Sequence, residues 1–432
     1  MPAMQVNSKI SEKVVKKKQA LEFLEPISKR YLMVMNIRST CDEKGDRYLD
    51  PMWAKDLTEH FKYLKDFTLA SPGQQEKSPE NQIAVNREPS FSNVEFIDLP
   101  CPNSYKDAIL TLPATVAKLW SAIGSSDIVH SCVAGWPIPM GWLVTPIALI
   151  QRKFYVLVVE SAPWRLEPGK TIKIKDKIIA YVSEIVNRWC VNNANLTIFT
   201  QSEYQHSLLT KRQERGHIIH ASWIDEENII SEADAAQIWH RKTSPSNKKL
   251  KLLFAGRLES SKGVLVLLEA MKILDDKNIA VNLDILGDGS LLNQCKTLSK
   301  NLQKSVNIQF LGTLPYGKEF FRLLQEYHAV VVPNLSDEQP RIVYDAYSQA
   351  VPVLASNTDG LRDCILNHTT GVIANSNDPV ALADLIEWSA QNLPRLESMG
   401  KASLQEAHSM THQQMHRSRW ELLLKMLQSS KV

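Results

Sequence analysis

The stretch "FAGRLESSKG", residues 254–263, follows the apolar "LKLL" and precedes "VLVLLEAMKIL". The chain therefore leaves a buried strand and, within one short loop, sets Arg257 and Lys262 beside Gly256 and Gly263. A glycine ahead of the arginine permits close backbone approach, and a glycine that opens a helix leaves N–H groups and a dipole turned toward an anion. Such a loop suits a phosphate. The competing reading is an ordinary strand-to-helix turn with two solvated cations, and the rest of the chain has to decide between them.

Downstream the alternation is regular. Apolar runs at "KLLFA", "LDIL", "VNIQFL", "AVVVP" and "VPVLAS" read as strands, separated by helices from Val264, Ser290, Lys318 and Arg341. Strands joined by crossover helices form a parallel sheet covered on both faces. Upstream, "YLMVMNI" (31–37), "VEFIDL", "DIVHS", "FYVLVV" and "LTIFT" read as strands, a helix starts at Pro51, and the polar, turn-rich 71–93 reads as a surface loop. The polar "HRKTSPSNKK" (240–249) has the composition of a linker. The expected architecture is α/β, with two doubly wound, Rossmann-like domains at residues 1–240 and 250–410. It ends in an amphipathic helix within 411–432, where Trp420, Leu423, Leu424 and Leu427 make one apolar stripe. Ligands of such sheets bind beyond the carboxyl ends of the strands, where the "FAGRLESSKG" loop lies.

Composition agrees with this division. A chain of 432 residues is too long for one comfortable core, and 44% hydrophobic with 22% charged residues is ordinary for a globular enzyme. A net charge of +3, from 50 basic and 47 acidic residues, offers no excess for wrapping a polyanion, so nucleic acid is not an expected partner. Six scattered cysteines without a CxxC argue against a zinc ribbon or a disulfide framework and fit a reducing cytoplasm. The basic start lacks the apolar run of a secretory signal. Its Lys13 and Lys16 to Lys18 suit either anionic lipid or a solvated helix face, which leaves room for peripheral contact at the inner face of a cytoplasmic membrane. The uncharged "CVAGWPIPMGWLVTPIALI" (132–150) approaches bilayer-spanning length. Pro137, Pro139, Pro146, Gly135 and Gly141 break it, so a buried or membrane-facing helix is expected there.

A second loop on the same rim is "NLSDEQPRIVYDAYSQAVPVLAS", 334–356. Asp337 precedes Pro340, which is placed to open a helix, and Asp345 follows inside that helix. Acidic side chains at such a terminus accept hydrogen bonds from sugar hydroxyls while its backbone faces a pyrophosphate. Taken alone, two aspartates there also read as a cap and a solvated face.

Together these loops resemble the nucleotide-sugar glycosyltransferases of the GT-B fold, in particular the retaining family four. That family reads G-R-x4-K-G after the first strand of its C-terminal domain, as do Gly256, Arg257, Lys262 and Gly263 here. It continues with G-x-G (Gly287 and Gly289 in "ILGDGS") and V-x-F-x-G ("VNIQFLG", with Phe310 and Gly312). It then shows E-x7-E in the context E-G-x-P-x-V-x-x-E-A, here "DEQPRIVYDA". The resemblance covers the C-terminal half strongly and, through "DIVHS", "TIFTQSEY" and "HASWIDEENI", the N-terminal half weakly.

The resemblance implies two domains facing a central cleft, with the last helix returning to the N-terminal domain. It implies Arg257 and Lys262 on the donor diphosphate, Asp345 on the ribose hydroxyls and Asp337 on the transferred sugar. Gly256, Gly287, Gly312 and the backbone from Gln339 through Pro340 to Arg341 would lie along the donor, with Leu314 near the base. No metal and no cofactor are implied, because the basic pair neutralises the leaving charge. The implied activity is hexosyl transfer with retention to a glycan, lipid-linked or small-molecule hydroxyl, in polysaccharide or glycoconjugate assembly. Both glutamates of the motif are aspartates here, each roughly 1.5 Å shorter in reach. Where many members have histidine after the strand matching "FYVLVV", this chain has Glu160, which would orient or deprotonate the acceptor hydroxyl or pair with a cation. Trp164 and Arg165 either line the acceptor side or pack a loop, and His130 has a core reading. Two other functions stay open: a non-catalytic GT-B binding subunit, and a sugar-nucleotide epimerase.

Overall fold

The computed structural model describes residues 26–75, 82–135, 137–166, 173–244, 249–300, 302 and 304–429. The lysine-rich start and residues 245–248 of the expected linker lie outside them. In chain order the strands are β1 (Ile27–Val34), β2 (Ser39–Cys41), β3 (Arg47–Leu49), β4 (Leu64–Gln75), β5 (Ile83–Ala84), β6 (Val94–Leu99), β7 (Ile128–Cys132), β8 (Phe154–Val159), β9 (Leu196–Phe199) and β10 (Gly216–Ile218). They continue with β11 (Leu250–Ala255), β12 (Val281–Leu286), β13 (Val306–Gly312), β14 (Ala329–Val332), β15 (Val353–Ser356) and β16 (Gly371–Ala374). Among the described residues they make two sheets. One has the order β10-β9-β8-β7-β1-β4-β2-β3-β5 with β6 on β4, and the other has the order β13-β12-β11-β14-β15-β16. The chain forms two compact units, one of residues up to Leu157 together with Trp420 onward, the other Val158–Arg419. Every candidate site residue lies in the second unit.

In the six-stranded sheet all pairings are parallel. Alternate residues feed opposite cores, because successive side chains of a strand point to opposite faces. Leu252, Val331 and Leu354 pack with Leu267 and Met271 of the helix Val264–Asp276 and with Ile386 of the helix Pro379–Gln391. Leu253, Val330, Val332 and Val353 pack on the other side with Phe321, Val343 and Tyr347. Burial on both faces is why these strands read as unbroken apolar runs.

One expectation changes. Residues 71–75 are not loop but the end of β4, where Ser39 to Cys41 pair with Gly73 to Gln75 on one side and Ser71 and Pro72 pair with Asp98 and Leu99 on the other. A ladder on both sides satisfies the backbone of a segment whose composition disfavours a strand. The helix expected within 132–150 forms, among the described residues, over Met140–Ile150, about 16 Å long and so about half a bilayer core. Among the described residues, the helix Tyr105–Ser125 is long and apolar enough, by length and composition, to cross a membrane. It packs on β6 and on the helix Met140–Ile150.

Candidate functional site

The order β13-β12-β11-β14-β15-β16 reverses direction between β11 and β14, and the two loops singled out in the sequence leave those two strands. They therefore flank the switch point, where doubly wound sheets open a crevice. The loops are sewn together. Leu335 N and Ser336 N donate to Ser261 O at 2.8 and 3.3 Å, and Gly263, left-handed at φ +68°, would carry a Cβ only 1.8 Å from Pro333 O. Gly287, at φ +138°, sits against the Arg257 loop, since a Cβ there would lie 1.9 Å from Gly256 O. Gly256 N donates to Leu286 O and Leu258 N to Asp288 O, at 3.0 and 2.9 Å. The G-x-G stretch is thus the seat of the arginine loop, and Gly312, whose carbonyl accepts from Gly287 N at 2.6 Å, backs that seat.

On this seat the charges converge. Lys262 Nζ donates to Glu338 Oε1 at 2.6 Å, and Ser336 Oγ donates to the same oxygen at 3.1 Å. Burial pushes the Glu338 carboxyl up, but the charge and hydrogen bond of Lys262, with help from Ser336 and the nearby Arg257 charge, outweigh it and leave the carboxyl below its ordinary value. Lys262 directly, and Arg257 more weakly through its charge, therefore act on one carboxylate. In the family motif quoted above, that carboxylate stands at a glycine.

The neighbouring Asp337 is exposed, and its Oδ1 accepts from Asp359 N at 3.3 Å. Gln339 turns its amide onto Ala221, accepting from the backbone N at 2.8 Å and donating to the backbone O at 2.9 Å. Pro340 is buried, and Arg341 lays its guanidinium 5.0 Å over the Trp223 ring, which stacks on His412. The helix itself begins at Ile342 and ends at Ser348. Asp345 on that helix is 5% exposed and accepts from the Tyr316 hydroxyl at 2.9 Å. Burial, then the Asp345 charge, pushes that phenol upward. Leu314 lines a cavity of about 450 Å³ with Leu286, Leu311 and Thr313, beside Glu319 and Arg322. Glu160 is exposed, with its carboxylate 4.0 Å from Arg419.

Of the residues expected from the sequence, the structure brings Lys262 and the charge of Arg257 to Glu338, Asp345 to Tyr316 and Leu314 to the cavity wall; Glu338, Tyr316 and Trp223 were not among those expected. The signal for Glu338 was the second acid of "DEQP"; Tyr316 and Trp223 had none. Trp164 and Arg165 take the packing role, with Trp164 Nε1 on Glu184 and Arg165 on Glu184, Glu203 and Ser207. His130 is buried and bonded to the Tyr31 hydroxyl at 2.9 Å.

Two α/β sheets, mainly parallel in the first and wholly parallel in the second, with paired loops at the switch point of the second, place the chain in the GT-B class, and solved structures bear this out. Sucrose-phosphate synthase of Thermosynechococcus elongatus superposes with a TM-score of 0.67 at 15% identity, covering 93% of this chain and 100% of that one. HepE of Anabaena, solved in complex with UDP, gives 0.64 at 15% identity, covering 92% and 100%. Residues 236–406 match the family model of glycosyl transferases group 1. That match covers about two fifths of the chain, within a GT-B fold. A D-inositol 3-phosphate glycosyltransferase of Corynebacterium diphtheriae is 25% identical over 166 residues, which are 37% of this chain and 39% of the relative. The match thus spans about two fifths of that relative's length.

Proposed function

We propose that the chain moves a hexosyl unit from a nucleoside-diphosphate sugar to a hydroxyl of a glycan, lipid-linked or small-molecule acceptor, with retention of configuration. The observation that carries this reading is the convergence of Lys262 and Arg257 on the Glu338 carboxylate at the switch point. A diphosphate takes over that place. The two cations then neutralise the charge that grows on the leaving phosphate as the sugar–oxygen bond breaks, an interaction stronger in the transition state than in the ground state. The base rests in the cavity at Leu311 and Leu314, and the ribose hydroxyls meet Asp345, whose shorter reach is supplemented by the Tyr316 hydroxyl. Asp337 and the backbone from Gln339 to Arg341 face the sugar, and Glu160 orients the acceptor hydroxyl.

In the retaining course the acceptor enters on the face the phosphate leaves, and the departing phosphate oxygen takes the acceptor's proton. Neither a covalent nucleophile nor a divalent ion has a necessary part, since the cation pair carries the leaving charge. We place this chemistry in the cytoplasm, in polysaccharide or glycoconjugate assembly. A neighbour of the same fold was solved with UDP, which supports a nucleotide-sugar donor.

The test is a thermal-shift panel of UDP-, GDP- and ADP-sugars with and without magnesium, followed by NMR of the anomeric configuration of any product. A metal-independent shift with one base and a retained anomer is expected; no shift with any of them overturns the reading. A second reading, a non-catalytic binding subunit, is favoured by one observation: Asp337 already spends its carboxylate on Asp359 N. Binding of a nucleotide sugar without transfer or hydrolysis would select it.

A further inference from the structure

The helix Ile174–Asn193 is built inside out. With 3.6 residues per turn, Ile174, Ile178, Tyr181, Ile185 and Trp189 follow one another at steps of three or four and make one stripe, with Val182 beside it. All six are exposed, from 43% for Trp189 to 77% for Ile174. The opposite stripe, Ser183, Asn187 and Cys190 with Val191, is the buried one. A helix of a globular protein normally turns its apolar stripe inward. Here the protein buries serine, asparagine and cysteine while isoleucine, tyrosine and tryptophan face out over roughly 22 Å.

The charges beside the stripe choose the occupant. Lys173, Lys175 and Lys177 crowd the first turn, where all residues from Lys173 to Ile179 are exposed. The acids are turned away: Asp176 shares the stripe of Ser183 and Cys190, and Glu184 is held by Trp164, Arg165 and Arg188. An apolar face carrying Tyr and Trp and rimmed by lysines matches a helix lying in the plane of an anionic lipid surface, its rings at headgroup depth and its lysine stems reaching the phosphates. A second copy of the chain fits less well. A two-fold pairing about Tyr181 and Val182 sets Lys175 of one copy against Arg188 of the other, cation on cation.

We infer that this helix is a membrane-docking face of the protein, seated on a bilayer surface rich in anionic phospholipid. The inference does not rest on the transfer chemistry, and its test involves no sugar nucleotide. The full chain is floated with vesicles of phosphatidylglycerol mixed with phosphatidylcholine and, separately, of phosphatidylcholine alone. It should rise with the anionic vesicles and be released by salt. Ile178→Glu combined with Ile185→Glu, both at exposed positions, should cut partitioning at least about tenfold, with thermal stability unchanged. Lys175→Gln and Lys177→Gln should each weaken it roughly fivefold on anionic vesicles only. Failure to rise with anionic vesicles, or partitioning of the double isoleucine variant equal to the parent's, overturns the inference. So does self-association in sedimentation that the isoleucine variant abolishes while vesicles bind nothing, since a second copy then covers the stripe.

Discussion

If a ligand diphosphate must displace Glu338 from Lys262, neutralising that glutamate should tighten nucleotide binding. Glu338→Gln is nearly isosteric and keeps an oxygen for Lys262 and Ser336, but it removes the charge. The pair is close, at 2.6 Å, with side chains 15% and 31% exposed, so it is neither fully screened nor fully buried. A charge-assisted hydrogen bond contributes about 1.5–3 kcal/mol when shielded and under about 1 kcal/mol at a surface. An intermediate value of about 1–2 kcal/mol converts to roughly 5- to 30-fold in affinity. Calorimetric titration with UDP, which lacks the transferred hexose, should show Glu338→Gln binding more tightly by that factor. Lys262→Ala should bind roughly 10- to 150-fold more weakly, through loss of a charged phosphate contact. The pair also sets an acid limit. Because the Glu338 carboxyl is depressed on folding, its contribution to stability is present above the unfolded value near 4.5 and lost as pH falls through the folded one. Glu338→Gln should therefore flatten the acid limb of the stability profile. If Glu338→Gln weakens UDP as Lys262→Ala does, Glu338 is a ligand contact and the displacement argument is wrong.

Three further perturbations test the frame around the site. Burial pushes the Lys242 ammonium, bonded to Tyr327 O at 2.6 Å, down to about 7. Between that value and 10.5 the unfolded chain holds a proton that the native chain lacks, so stability rises with pH. Urea titrations from pH 7 to 10 should show this rise, about 3–5 kcal/mol at most, disappearing in Lys242→Met. Gly287→Ala should cost about 2–4 kcal/mol in chemical denaturation, because its Cβ would strike Gly256 O in a left-handed backbone. It should also weaken UDP binding, by displacing the arginine loop. Tyr316→Phe removes the hydroxyl that Asp345 accepts from and should lower stability by about 1–2 kcal/mol, read from the denaturation midpoint.

What could be read from the sequence follows from what is local. Both loops at the switch point were legible, because strands buried on two faces announce themselves as runs such as "AVVV", and the loops are whatever follows. The end of β4 was not: "SPGQQ" is a strand only because β2 and β6, distant in the chain, ladder onto it. Nor could order alone tell which of Asp337 and Glu338 meets Lys262, since neighbours in an extended loop point opposite ways and motif alignment favours the first acid.

The helix Ile174–Asn193 sharpens the same point. Periodicity states which residues share a face; it is silent on which face the fold turns inward, and burying Ser183 and Asn187 while exposing Ile178 and Tyr181 is a decision of tertiary packing. At the site the decision is electrostatic. Sequence placed two cations in one loop, but their joint meaning comes from the acid that a second loop, stitched on through Ser261 and Gly263, brings to Lys262 within reach of the Arg257 charge. A carboxylate held by Lys262, with the weaker charge of Arg257 acting on it, marks where a stronger anion binds, and the strength of that hold bounds what such an anion must overcome.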